Sequence, residues 1–157
     1  MKRLLSGLFA VGSLVVLLVA VTAWGKPSRE HDHKGGKTIP VIEHAATDET
    51  TDTGANGDSA GDILTFANDV FDKGDTHKVG TDQGYCIRTV VGVSYECNFT
   101  TVLRGGSIVV EGPFYDARDS VLAITGGTGR YRKARGSMEL NARENGTKFV
   151  FVFHIAR

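Results

Sequence analysis

From Asp62 to the C-terminus, apolar and polar residues alternate in short runs separated by Gly, Asn and Asp. Runs rich in Val, Ile, Phe, Tyr and Thr, bounded in this way, are the mark of strands. They predict strands over Thr38–His44, Ile63–Asn68, Lys78–Val90, Val93–Arg104, Ser107–Phe114, Ser120–Thr125, Ser137–Arg143 and Lys148–His154. No stretch keeps a helical period. Asn145-Gly146 is a strong hairpin signal because both residues accept positive φ, and Gly105-Gly106 suits a second tight turn. About eight short strands with tight connections predict an all-β fold. The form expected is an eight-stranded antiparallel up-and-down β-barrel, which closes its own edges, and a two-sheet sandwich is the alternative.

Parity assigns faces within these strands. In the last strand Phe149, Phe151, Phe153 and Ile155 share one side, and Lys148, Val150, Val152 and His154 the other. Both sides are largely apolar, whereas a solvated barrel strand keeps one polar face. The outer side is therefore expected to be covered, and contact with another copy is the natural cover. In a hairpin turning at Val91-Gly92, residues whose numbers sum to 183 face each other, which sets Cys86 across from Cys97. That separation is within disulfide reach. A thiol facing a cavity is the other reading. Arg88 shares the Cys86 face and Glu96 takes the opposite one, so one of these two charges points inward and needs a partner.

The N-terminal third has a different pattern. Lys2 and Arg3 precede an apolar run from Leu4 to Val21 that closes on Val21-Thr22-Ala23. This is the organisation of a signal peptide over 1–23, with an uncleaved membrane anchor as the alternative. Either way the remainder is expected outside the cytoplasm, secreted or held at the cell surface, with a membrane as partner only where the leader stays attached. Residues 24–37 read as a flexible linker. Its His31 and His33 form an H-x-H pair without fixed geometry, so no metal and no cofactor are expected. Residues 38–157 form the barrel domain, interrupted by an acidic loop over 47–61 that reads as flexible. The 157 residues carry 18 basic and 18 acidic side chains, and loss of the leader removes two of the basic ones. No nucleic-acid partner is expected from such a balance. Asn98-Phe99-Thr100 and Asn145-Gly146-Thr147 are glycosylation sequons, relevant only in a host that modifies secreted chains.

Several motifs, in order, carry a resemblance: Gly61-Asp62-Ile63-Leu64-Thr65-Phe66-Ala67-Asn68, then Val79-Gly80 with Gly84-Tyr85-Cys86, then Val110-Glu111-Gly112-Pro113-Phe114-Tyr115. The most specific runs from Asp119-Ser120-Val121-Leu122-Ala123-Ile124-Thr125 through Gly126-Gly127-Thr128-Gly129 to Arg130-Tyr131-Arg132-Lys133-Ala134-Arg135-Gly136, and the ending Phe151-Val152-Phe153-His154 fits as well. Together they resemble the allene oxide cyclase and dirigent superfamily. The resemblance implies an eight-stranded barrel with an apolar cavity, a homotrimer, and a hydrophobic or phenolic small molecule as partner. The Gly-rich run lacks the Lys-Ser/Thr helix start of a phosphate loop and suits a bend at the barrel rim instead.

Allene oxide cyclases hold a reactive epoxide in a folded conformation while it closes, so the resemblance implies an isomerase of the cyclase type. Position by position, it puts Glu43 at the catalytic carboxylate, Asn68 at an asparagine that holds an ordered water, and Cys86 at a cavity cysteine. This chain has Ala45 where the cyclases carry a further asparagine, and the acidic loop replaces their Ser-Pro pair. The dirigent resemblance implies substrate-binding roles for Asp119, Arg132 and Arg135, an acid or base for a quinone methide and cations for a phenolate. Two further readings keep the same fold: a barrel that binds a hydrophobic ligand without chemistry, and a structural trimer with a filled interior.

Overall fold

The computed structural model describes residues 36–156. The leader, with most of the linker including His31 and His33, lies outside them. Nine strands form: β1 (Lys37–His44), β2 (Glu49–Thr51), β3 (Ile63–Asp72), β4 (Lys78–Val90), β5 (Ser94–Leu103), β6 (Gly106–Tyr115), β7 (Ser120–Gly127), β8 (Gly136–Arg143) and β9 (Lys148–Ile155). Each strand from β3 to β9 pairs antiparallel with the next, and β1 closes the ring by pairing with both β9 and β3. Eight long strands thus make a closed up-and-down barrel, as the alternation predicts. Closure leaves no long unpaired edge.

The ninth strand, β2, was not foreseen. It continues the edge of β3 beyond the end of β1, with Glu49 opposite Thr65 and Thr51 opposite Ile63. It belongs to the segment read as a flexible acidic loop. Asp62 is buried and accepts from the Thr53 and Ser59 amides at 3.1 and 2.7 Å, and Asp52 accepts from Gly57 N–H at 2.9 Å. The acids of this loop act as acceptors for its own backbone.

The hairpin registers follow the sequence closely. Cys86 faces Cys97 and Arg88 faces Tyr95. At the last turn Arg143 pairs with Lys148, and Glu144 joins Asn145 in the left-handed region, at φ 48° and 57°.

Inward side chains fill the barrel. Phe151 and Phe153 of β9 are almost fully buried beside Leu122, Ile108, Val110 and Met138. Phe99 packs 5.6 Å from both Phe66 and Phe151, ring centre to ring centre. It can cross the barrel because Gly84 faces inward beside it, where a Cβ would overlap Phe99. On the outer side of β9, Val150 and Val152 remain half-buried, next to Ile42 and Pro40 of β1.

Candidate active site

Inward parity sets four polar residues side by side on adjacent strands. On β3 and β4, Asn68 pairs with Asp82; on β4 and β5, Asp82 pairs with Thr101; and Glu43 on β1 lies one diagonal step from Asn68. All four are buried, none more than 4% exposed. A polar belt across four strands therefore divides an otherwise apolar interior.

Asn68 organises the belt. Its Nδ2 donates to Glu43 Oε1 at 2.9 Å and to Asp48 Oδ1 at 2.7 Å. Its Oδ1 accepts from the Ala46 and Thr47 amides at 3.0 and 2.9 Å, and from the Thr47 hydroxyl. The side chain thereby ties the barrel wall to the strand connection β1–β2, across the gap that β1 and β2 leave on the β3 edge. Thr101 Oγ1 donates to Asp82 Oδ1 at 2.7 Å, while Asp82 Oδ2 is buried without a partner.

Burial dominates the electrostatics here. It raises Glu43 from 4.5 to about 8, helped by the Asp82 and Asp48 charges and opposed by the hydrogen bond from Asn68. It also raises Asp82 from 3.8 to about 7, opposed by the bonds from Thr101 and the Gln83 amide. Near neutral pH burial and mutual repulsion keep the pair from carrying two charges at once, and Glu43, raised the further, is the one held protonated. A neutral carboxylic acid in an apolar space can donate to a substrate oxygen, and its neighbour can take a proton back.

Glu43 lies in the wall of a slot lined also by Phe66, Phe99, Phe114, Phe149, Phe151, Leu64 and Leu140, with a volume of about 40 Å³. That is room for a few water molecules. Asp48 stands at the mouth. Cys86 and Cys97 also line this slot, joined as a disulfide. The sulfur at 86 therefore offers a polarizable surface and no thiol. Asp82 stands behind Glu43, outside the slot lining.

The other expected residues lie elsewhere. Asp119 is exposed in the turn between β6 and β7, on the rim near Phe114. Arg132 and Arg135 are exposed on the loop between β7 and β8, at the opposite rim, with Arg135 Nη1 donating to the carbonyl of Ala134. The structure thus brings Glu43 and Cys86 to one slot, places Asn68 behind them through its hydrogen bond to Glu43, and leaves the expected substrate-binding trio outside the slot lining. Of the two inward candidates, Arg88 is the buried one. It forms ion pairs with Asp58 at 2.6 Å and Asp116 at 2.7 Å, and stacks on Tyr95.

A family model described as allene oxide cyclase matches residues 35–156. The closed eight-strand antiparallel barrel and this match together define the class. The chain belongs to the allene oxide cyclase family. Among solved structures, a pyocyanin demethylase is 24% identical, covering 75% of this chain and 99% of its own, with a TM-score of 0.67. A pterocarpan synthase dirigent protein is 15% identical over 76% of this chain and 87% of its own, at a TM-score of 0.63. An exo-specific intermolecular Diels–Alderase is 16% identical over 76% and 97%, at 0.62. At these identities the likeness is one of fold.

Proposed function

We propose that this barrel is an isomerase of the cyclase type, exported from the cytoplasm, that encloses a reactive hydrophobic or phenolic molecule and moves one proton on it. One observation carries this reading: Glu43, buried and raised to about 8, lies in the wall of an aromatic slot. Restricting the conformers of a flexible substrate lowers the entropic barrier to ring closure. Protonated Glu43 donates its proton to the oxygen on which charge develops, and the resulting Glu43 carboxylate, held by Asn68 Nδ2 beside a neutral Asp82, takes a proton back from the rearranged product, so that mass and charge are conserved. Asn68 orients Glu43 and is a positioning residue. The slot of about 40 Å³ is smaller than such a substrate, so binding requires the half-buried Phe114 and Phe149 at its mouth to turn outward. A homotrimer built on the outer face of Ile42, Val150 and Val152 is part of the same proposal.

The test is uptake and turnover by the exported chain incubated with apolar and phenolic metabolites of its host, followed by native mass spectrometry and product analysis. One retained molecule per subunit, with rearranged product of unchanged mass, is expected from the native protein. Glu43→Gln is expected to retain uptake and lose product. Uptake without any rearrangement, equal in both proteins, would leave a ligand-binding barrel and sink the catalytic reading.

A further inference from the structure

Charge is sorted between the two ends of the barrel, although the chain as a whole has as many acids as bases. Asp48, Glu49, Asp52, Asp58, Asp116 and Glu144 belong to the connections around the slot mouth. The connections at the other end carry Lys73, Arg104, Arg130, Arg132, Lys133 and Arg135, all exposed. Lys37, where the chain enters β1, stands at this same end, with Nζ 5.6 Å from the Tyr131 ring centre. None of these seven cations forms an ion pair among the described residues. Two acids share the β3–β4 hairpin with Lys73: Asp72 accepts from the Thr76 amide and pairs with His77, and Asp75 pairs with His44 and Lys148.

The cations are contiguous. Two grooves of about 340 and 480 Å³ flank Tyr131 and share Arg130 as a wall. Their floors are apolar, with Pro40, Val79 and Ile155 between the basic side chains. A surface of cations with no ion-pair partner among the described residues, set around apolar grooves, matches the headgroup layer of an acidic bilayer, where phosphates meet acyl chains.

We propose that the basic rim docks on an anionic phospholipid bilayer, with the slot mouth at the opposite end facing away from it. The barrel can be tested without the apolar run, because its hydrogen-bond ring and core lie within 36–156 and the matched demethylase chain is this barrel over 99% of its length.

Residues 36–157 are sedimented with vesicles of phosphatidylcholine alone and of phosphatidylcholine with about one third phosphatidylglycerol. Binding is expected only to the acidic vesicles, and is lost when salt rises from about 0.1 M to about 0.5 M. Arg130→Glu with Lys133→Glu should weaken it by roughly tenfold or more. Lys73→Glu with Arg104→Glu is an independent second pair, and melting curves establish that each variant is folded. Arg118→Glu with Arg143→Glu, at the acidic end, should leave binding unchanged. Equal binding to neutral vesicles, or equal loss from the acidic-end pair, overturns the proposal. So does capture by dextran sulfate without any vesicle sedimentation, which would assign the rim to a soluble polyanion.

Discussion

With Glu43 raised to about 8 and Asp82 to about 7, the folded barrel keeps protons that the unfolded chain releases near pH 4. The sign of the pH dependence follows. Both groups contribute stability below pH 4, and that contribution is lost as pH rises through 7 and 8. The melting temperature is therefore expected to fall by several degrees from pH 5 to pH 8.5, and Glu43→Gln with Asp82→Asn to flatten the profile. A native melting temperature that rises across this range would show that the carboxyls are ionised in the fold. Acid loss is a separate event: Asp72, held at about 2 chiefly by the Thr76 amide, gives up its contribution only as pH drops below 4. Asn68→Ala should cost about 2–3 kcal/mol in denaturant unfolding, because it leaves buried Glu43 without its donor and removes the acceptor shared by the Ala46 and Thr47 amides. The family resemblance singled out Glu43, Asn68 and Cys86, and the fold buries all three on inward strand positions. Asp82 and Thr101 were not singled out, although the register that pairs 86 with 97 also pairs 82 with 101. The parity of β4 could have found them; an aspartate in a Gly-Thr-Asp-Gln run reads as a turn residue unless the strand is followed through it.

Among the elements, the segment before β3 depends most on a single contact. Arg88 reaches from β4 to Asp58 in that segment and to Asp116 beyond β6, while Asp58 also accepts from the Gly92 amide at 2.7 Å. Arg88→Met removes the shared cation and frees two acids that can return to water, a cost of about 1–2 kcal/mol. Its visible effect is expected to be local: faster hydrogen exchange at Gly61 and Gly92 and new proteolytic cuts within 52–61, with the barrel strands still protected. Unchanged cleavage of this segment would mean that the Asp52 and Asp62 turns hold it alone. The disulfide joins neighbouring strands across a separation of 11 residues. Closing so short a loop limits its contribution to about 3 kcal/mol, which Cys86→Ala with Cys97→Ala should lose in reversible unfolding. Hairpins β4–β5, β5–β6 and β8–β9 were legible because their turns carry Gly or Asn-Gly. The strand β2 was illegible because Glu-Thr-Thr has no apolar period; it is held by the β3 edge and by Asn68, contacts made only after folding.

For the whole molecule, the barrel was legible because eight runs with tight turns have few other ways to close, and the interior assigned itself by parity. The sorting of charge was not legible, since it depends on which connections share an end. The leader makes its own prediction: intact mass of the exported protein should correspond to a chain starting at Trp24, and retention of residues 1–23 would assign a membrane anchor. Ring closure has a consequence in time. β1 is synthesised first, yet its eight-residue ladder is with β9, whose last member is Ile155. Its contact with β3 spans only four residue pairs. Synthesis must therefore deliver nearly all of the chain before the first strand finds its main partner, so until then the future barrel is an open ribbon with its apolar face bare. A chain that stopped before β9 would leave β1 without its ladder and the ring unclosed.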